Sequence, residues 1–375
     1  MRWLFLSPVV LLLYAGICYY IGSRLLGFIR CFLPDTSLIM FWFPFSLVCC
    51  VLVLLNFLRN NFFLQRAGSY WTAVFLYLFM FLALSELIKL ILFLFGKKPQ
   101  NINLYTAGTA VLLCVVLIVY GALHARSIET ADYNLTLNGS GGDIRIALIS
   151  DLHIGSSIGK AHIEKVVDIV NQAKPNIVCI AGDIFDGNLD VILDLQGIIS
   201  ALKGIYAPSG VYACLGNHDV DRLFRGSTER IAEILQAADI VLLQDEVYTV
   251  RENLHIAGCR DARPIGMNAE RKTPAELIAG LEGTIIVLDH QPVQFAQLEK
   301  AGADLTLCGH THSGQLFPLN LITRRIFKKA GATHYGYWQG ETMQAVVTSG
   351  AGFWGPQVRI GTNSEVAVIN INFTP

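Results

Sequence analysis

Val211-Tyr212-Ala213-Cys214-Leu215-Gly216-Asn217-His218-Asp219 decides how this chain is read. Its first five residues are an apolar run of strand length, the pattern of a buried strand. A turn at Gly216 then sets an amide, an imidazole and a carboxylate side by side. The layout recurs four times. Ile144 to Ile149 runs into Ser150-Asp151-Leu152-His153, and Ile177 to Ala181 runs into Gly182-Asp183-Ile184-Phe185-Asp186. Thr284 to Leu288 runs into Asp289-His290, and Leu305 to Cys308 into Gly309-His310-Thr311-His312. In open α/β sheets ligands sit at the carboxyl ends of strands. Five strand ends carrying Asp, Asn and His therefore predict one site.

Helical patterns alternate with these strands, at Ala161 to Gln172, Leu189 to Leu202, Thr228 to Ala238, Pro274 to Leu281 and Val293 to Ala301. Pro274 and Pro292 suit helix starts. Short strands are expected at Val247 to Val250 and Leu254 to Ala257, and further strands at Gln344 to Thr348 and Glu365 to Asn372. The alternation predicts an α/β domain over 144–375, long enough to bury one sizeable core. Ser127 to Asp143 is polar and ends in Asn138-Gly139-Ser140-Gly141-Gly142, so 127–143 reads as a linking strand and turn.

The chain before it has another composition. The sequence of 375 residues is 53% hydrophobic and 15% charged, with mean hydropathy +0.49, too apolar for an ordinary soluble protein. Trp3 to Ile21, Leu38 to Leu58, Trp71 to Phe95 and Leu104 to Leu123 are each long enough to cross a bilayer as a helix. Residues 1–126 are thus expected to form an all-α bundle of about four transmembrane helices. Glu86 and Lys89, three apart, share a face of the third. They read as an ion pair or a snorkelling Lys before they read as an intramembrane site.

Charge divides the chain the same way. Residues 1–126 hold nine Lys/Arg against two Asp/Glu, and 127–375 hold nineteen against twenty-seven. A basic membrane part suits a lipid bilayer as partner, and an acidic soluble part argues against nucleic acid. The Lys/Arg flanking the spans are tied between the two sides, so the positive-inside rule chooses neither. Cys179, Cys214, Cys259 and Cys308 lie in or at the end of apolar runs without framework spacing. They read as core thiols and lean the soluble part to the cytoplasmic face of the cell membrane.

Five of the nine His lie in the strand-end set. Carboxylate, amide and imidazole without thiolate suit a divalent metal such as Mn, Fe or Zn. An Asp can bridge two such ions, and ions about 3.5–4 Å apart clamp both oxygens of an in-line displacement at phosphorus. His162 and His255 read as structural, His124 as interfacial, and His334, among Tyr335, Tyr337 and Trp338, as a weaker candidate for substrate contact. Asp219 and the pair Arg260-Asp261 are candidates for supporting the site.

These blocks resemble the calcineurin-like metallophosphoesterase family. The match is Asp-x-His at Asp151/His153, Gly-Asp-x-x-Asp at Gly182 to Asp186, Gly-Asn-His-Asp at Gly216 to Asp219, His290, and Gly-His-x-His at Gly309 to His312. The five blocks stand in the family's order. The Gly-Gln after the last pair and Val358-Arg359-Ile360-Gly361 look most like the membrane-associated YkuE/YaeI-type branch. The resemblance implies a four-layer α/β/β/α sandwich and two divalent metal ions. It places Asp151, His153 and His312 on the first ion and Asn217, His290 and His310 on the second, with Asp183 bridging. It implies a two-metal hydroxide mechanism, with His218 protonating the leaving oxygen and Asp186 orienting its ring.

The expected activity is a phosphoesterase acting on a phosphate mono- or diester. Gly187 stands where Ser/Thr protein phosphatases carry a phosphate-gripping Arg, which weakens that alternative. A non-catalytic metal-binding sensor or transporter module is the other rival, and no ligand or acid has been lost to favour it. Finally, Leu319, Ile322 and Ile326 recur at helical spacing beside Arg324, Arg325, Lys328 and Lys329. They read either as a surface helix with its apolar face on the core or as an interfacial helix admitting a lipid-linked phosphate.

Overall fold

The computed structural model describes residues 8–55, 62–97, 99–139, 142–220, 227–262 and 271–374. The start of the first expected span, the end of the second, and Ser140-Gly141 of the linker lie outside them. The chain divides into two compact units, Met1–Ala122 and Leu123–Pro375.

The first unit holds four helices long and apolar enough to cross a membrane: α1 (Pro8–Ile29), α2 (Leu38–Leu55), α3 (Phe62–Leu94) and α4 (Ile102–His124). Helix α1 continues eight residues past the expected end at Ile21, because Arg24 does not stop it. The Arg24 Nε lies 3.1 Å from Glu86 Oε1. Lys89 Nζ lies 2.9 Å from the same oxygen and donates to Asn103 Oδ1 at 3.0 Å. Glu86 and Lys89 therefore form an ion pair that Arg24 joins, and the cluster ties α1, α3 and α4 together.

The second unit is built on two six-stranded sheets. Its strands are β1 (Ile128–Asn138), β2 (Ile144–Ile149), β3 (Ile177–Ala181), β4 (Val211–Cys214), β5 (Val241–Leu242) and β6 (Glu246–Arg251). They continue with β7 (Leu254–Gly258), β8 (Thr284–Leu288), β9 (Leu305–Cys308), β10 (Gly336–Gln339), β11 (Gln344–Val347) and β12 (Ser364–Thr374). One sheet runs β1-β12-β2-β3-β4-β5 and the other β10-β11-β9-β8-β7-β6. The pairs from β2 to β5 and from β7 to β9 and β11 are parallel, so the strand ends in question all point to one edge of their sheet.

Strand alternation builds the layers. Ile146 and Leu148 of β2 pack between the sheets with Leu288 and Leu307. Ala147 and Ile149 turn the other way, onto α5 (Lys160–Gln172), α6 (Leu195–Lys203) and α7 (Ser227–Ala237). Ile285 and Val287 meet α8 (Pro274–Leu277) and α9 (Phe295–Ala301) on the far face of the second sheet. The result is the expected α/β/β/α sandwich. Parallel strands buried on both faces read as unbroken apolar runs.

Several elements differ from the sequence reading. The helix expected at Leu189 to Leu202 is a short turn at Leu189–Val191 followed by α6. Asp194 breaks it by capping: its side chain accepts from the Gly197 N–H at 2.8 Å. Helix α8 ends at Leu277, well before Leu281, and Gly280 follows at φ 73. The segment read as a linking strand and turn contains β1, which pairs in parallel with β12 over its whole length. Helix α10 (Leu319–Lys329) buries no residue: Leu319, Ile322 and Ile326 are exposed, and of its apolar side chains only Phe327 packs on the core.

Candidate metal centre

Strands β2, β3 and β9 deliver their polar residues from turns too tight for ordinary backbone angles. Asp151, His153, Asp183, His310 and His312 have φ of 52, 45, 49, 72 and 48. Left-handed backbone is uncommon away from glycine and clusters at functional sites. These five are nearly half of the eleven non-glycine residues at positive φ among the described residues, so the strain is concentrated here. Gly182, at φ 77, shows the crowding: a Cβ there would meet Gly216 N and His290 Nδ1, both at 2.7 Å.

Two groups of donors result. In the first, His153 Nε2 and His312 Nε2 are 3.1 Å apart, and His312 Nε2 is 3.3 Å from Asp151 Oδ1. His153 Nε2 is also 3.8 Å from Asp183 Oδ2 and 4.0 Å from Asp151 Oδ1. Nitrogens bound to one ion at about 2.0–2.1 Å stand roughly 3 Å from each other, which is the spacing found. Burial and the neighbouring His153 push His312 well below its ordinary pKa, so its ring is neutral, the ligand form.

In the second group, Asp183 Oδ2 is 3.1 Å from His290 Nε2, and His310 offers its ring within the same cluster. His290 Nδ1 is 2.7 Å from the Ala181 carbonyl and can only donate to it. Nε2 then faces the Asp183 carboxylate, an arrangement that calls for a positive charge between them, a proton or a metal ion in its place. Burial alone would lower the His290 imidazolium; the Asp183 carboxylate outweighs it and raises it well above the usual value. The Asn217 Oδ1 is buried with no hydrogen-bond partner. A buried carbonyl oxygen left unbonded is costly, and a cation satisfies it. Both observations fit a metal. The next amide, His218 N–H, donates to Asp183 Oδ1 at 2.8 Å and sets the loop against the carboxylate.

His218 lies to one side of both groups. Its Nδ1 is 3.2 Å from Asp186 Oδ1, and its ring stands edge-on to His153. Burial would lower its pKa, but the bond to Asp186 and the Asp183 charge outweigh this and raise it to about 9. The ring therefore carries a proton at neutral pH. Burial would raise Asp186; the His153 and His218 rings outweigh it and hold the carboxyl well below its ordinary range. Asp186 also lies 3.7 Å from His153 Nδ1, so it backs a candidate ligand and the His218 ring together.

Among the weaker candidates, Asp219 proves to be a clamp. It is fully buried and accepts from the N–H groups of Gly216, Ile184 and Phe185, locking two ligand loops together. Burial and the nearby Asp183 raise its pKa to about 7. Asp261 accepts from Gln291 Nε2, next to His290. His162 pairs with the Ala351 carbonyl and His255 with the Glu282 carbonyl, neither ring joining a donor group, and His124 lies 2.9 Å from Asn363 Oδ1. His334 contributes its carbonyl to Thr311 Oγ1, next to His312, and its ring is in neither ligand group.

Sequence reasoning missed Arg359 and Arg271. Arg359 is fully buried, and its guanidinium donates to the carbonyls of His312, Ser349, Gly350, Gly352 and Asn363. It holds the His312 turn against the loop that packs on Asp151. Arg271 binds Asp289 in a fork at 2.6 and 3.1 Å, one residue before His290. The neighbouring Val358, Ile360 and Gly361 gave no sign of burial for a charge, and Arg271 lies far from any ligand in sequence.

Residues 144–314 match the family model described as calcineurin-like phosphoesterase. Over 99% of its own length and 99% of the relative's, the chain is 28% identical to a Campylobacter jejuni protein named an uncharacterized metallophosphoesterase. It is also 28% identical to a Danio rerio protein named transmembrane protein with metallophosphoesterase domain, over 78% of this chain and 69% of that one. The Escherichia coli K12 phosphodiesterase YaeI is 27% identical over 46% of this chain and 62% of its own.

Proposed function

Given that residues 144–314 form a calcineurin-like metallophosphoesterase domain in a membrane-associated chain, we propose that it hydrolyses a phosphate mono- or diester with two divalent ions. The observation that carries this reading is the pairing of two donor groups through Asp183, whose Oδ2 lies 3.8 Å from His153 Nε2 of the first and 3.1 Å from His290 Nε2 of the second. Asp151, His153 and His312 would hold one ion and Asn217, His290 and His310 the other, with Asp183 shared. Mn, Fe or Zn suit that donor set. When bound, such ions supply Lewis-acid charge at the phosphoryl oxygens and lower the pKa of attacking water.

The chain's own residues would do the rest. His218 carries the proton for the leaving oxygen, and Asp186 fixes which ring nitrogen points away from it. The fixed loops place these groups before substrate arrives, so little reorganisation accompanies the reaction. Gly187, in the place of a phosphate-gripping Arg, argues against a Ser/Thr protein phosphatase. A lipid-linked phosphate is the substrate class we favour, supported by the four spans. We further place the domain at the cytoplasmic face of the cell membrane, supported by four buried free thiols, Cys179, Cys214, Cys259 and Cys308.

The test is leaving-group dependence in the His218→Ala variant. General acid catalysis is worth about 10²–10⁴-fold. The variant should lose that much on an alkyl phosphate ester and far less on a 4-nitrophenyl ester, whose leaving group needs no proton. Equal losses on both would remove His218 from the acid role.

A further inference from the structure

We propose that α10 is a docking helix that seats on an anionic bilayer surface next to the metal centre. Its inner side is thin. Asn320, Thr323 and Phe327 are half-buried, and Phe327 alone packs on the domain's apolar core. Leu319, Leu321, Ile322 and Ile326 are exposed, the last two at 56% and 59%. With Phe317 they make five of the twelve exposed large hydrophobic side chains described after residue 126, gathered in ten residues. Scattered exposed apolar side chains need no explanation, but a contiguous group does.

Charge identifies the occupant. Arg324, Arg325, Lys328 and Lys329 are all exposed, and none forms an ion pair or side-chain hydrogen bond with a described residue. The rest of 127–375 holds fifteen Lys/Arg against twenty-seven Asp/Glu, so this basic cluster stands out from an acidic domain. At 100° per residue, Arg325 and Lys329 lie on the side away from the half-buried residues, flanked by Leu321 and Ile322. Apolar side chains interleaved with basic ones on an exposed face are the composition of an interfacial helix. An anionic headgroup layer over hydrocarbon meets both demands at once. The four apolar helices of the same chain make a bilayer the surface available to it.

The helix is fixed to the site rather than hung from it. His312 opens the short turn His312–Gly314, and the backbone of Gly314 lies against Asn320, where a Cβ would collide. Docking of α10 would therefore hold the His312 loop at a set height over the headgroups. This inference goes beyond the hydrolytic reading, and its test needs no turnover.

The test is hydrogen–deuterium exchange on the full chain in nanodiscs. Discs of phosphatidylcholine alone are compared with discs containing phosphatidylglycerol. Amides of 319–329 should exchange roughly tenfold more slowly in the anionic discs, a modest share of what four basic side chains near such a surface supply. High salt should reverse the difference, because exposed charges are screened. The variant R324Q/R325Q/K328Q/K329Q should lose the protection while keeping the parent's circular dichroism and melting temperature, which shows that it is folded. Equal exchange in the two kinds of disc would overturn the proposal. So would protection that is the same in both and survives salt, which would mean a protein partner.

Discussion

In the bundle, Ile39 is 83% exposed and Leu12 71%, although both are apolar; in the phosphoesterase unit, Asp151, His290 and Arg359 are 0% exposed, although all three are polar. Each region inverts the usual arrangement, and each inversion names a missing surrounding. Exposed apolar helices are at rest only against hydrocarbon, because lipid is as apolar as they are. Buried carboxylates and imidazoles are at rest only when paired or ligating a metal. The comparison teaches that exceptions to burial carry function here more directly than the folds do. It also implies that the two regions answer to different perturbations, the bundle to its lipid and the site to its ions and its buried charges.

The largest effect should come from Asp183→Asn, which removes the charge assigned to both ions. Ions at a phosphoryl centre supply several kcal/mol, so turnover should fall by roughly three orders of magnitude or more. Metal analysis should show at least one ion lost, while circular dichroism stays unchanged. A variant that binds two metals and turns over normally would break the comparison at its polar end.

Arg359→Met should come next. It removes the cation that the five carbonyls share: His312, Gly350 and Asn363 keep a second donor each, from Gln315, Glu365 and Ser349, while the buried Ser349 and Gly352 carbonyls keep no other described donor. Each buried carbonyl left without a donor costs about 1–3 kcal/mol. The expected result is a lower melting temperature of the phosphoesterase unit. Bound metal should be retained less firmly, because the His312 turn loosens. An unchanged melting temperature would mean that those carbonyls do not need the guanidinium.

How much of this could be read in the sequence follows from range. The candidate ligands stood out because each sits just after an apolar run, and a strand followed by Asp or His is a local pattern. His218, Asn217 and the Gly-His-x-His pair needed no knowledge of the fold. The α/β domain was legible in the same strands, while the four-layer sandwich was implied by the family resemblance; Ile146 and Ala147 of one apolar run do face different layers. Arg359 and Arg271 were not legible, because their roles depend on carbonyls and carboxylates that only the fold brings near. The break at Asp194 was hidden by apolar spacing that continued across a side-chain cap. For α10 the sequence offered two readings with equal force, since helical periodicity shows which residues share a face but not what the face meets.

The smallest effect, and the sharpest check on the separateness of the two regions, should come from Glu86→Gln. The Glu86 carboxylate stands between Arg24 at 3.1 Å and Lys89 at 2.9 Å. Neutralising it leaves two cations of the bundle without their shared partner, and Lys89 keeps only Asn103 as an acceptor. Side chains this near a helix end can turn toward headgroups and recover part of the loss. The net cost should therefore be about 1 kcal/mol, of the order of an accessible ion pair. It should appear as earlier thermal unfolding of the bundle in detergent. Hydrolysis of a soluble ester should be unchanged, because the residues assigned to the metals and to proton transfer belong to the other compact unit. A fall in turnover with the second unit still folded would mean that the polar cluster communicates with the metal centre. The bundle would then be more than an anchor.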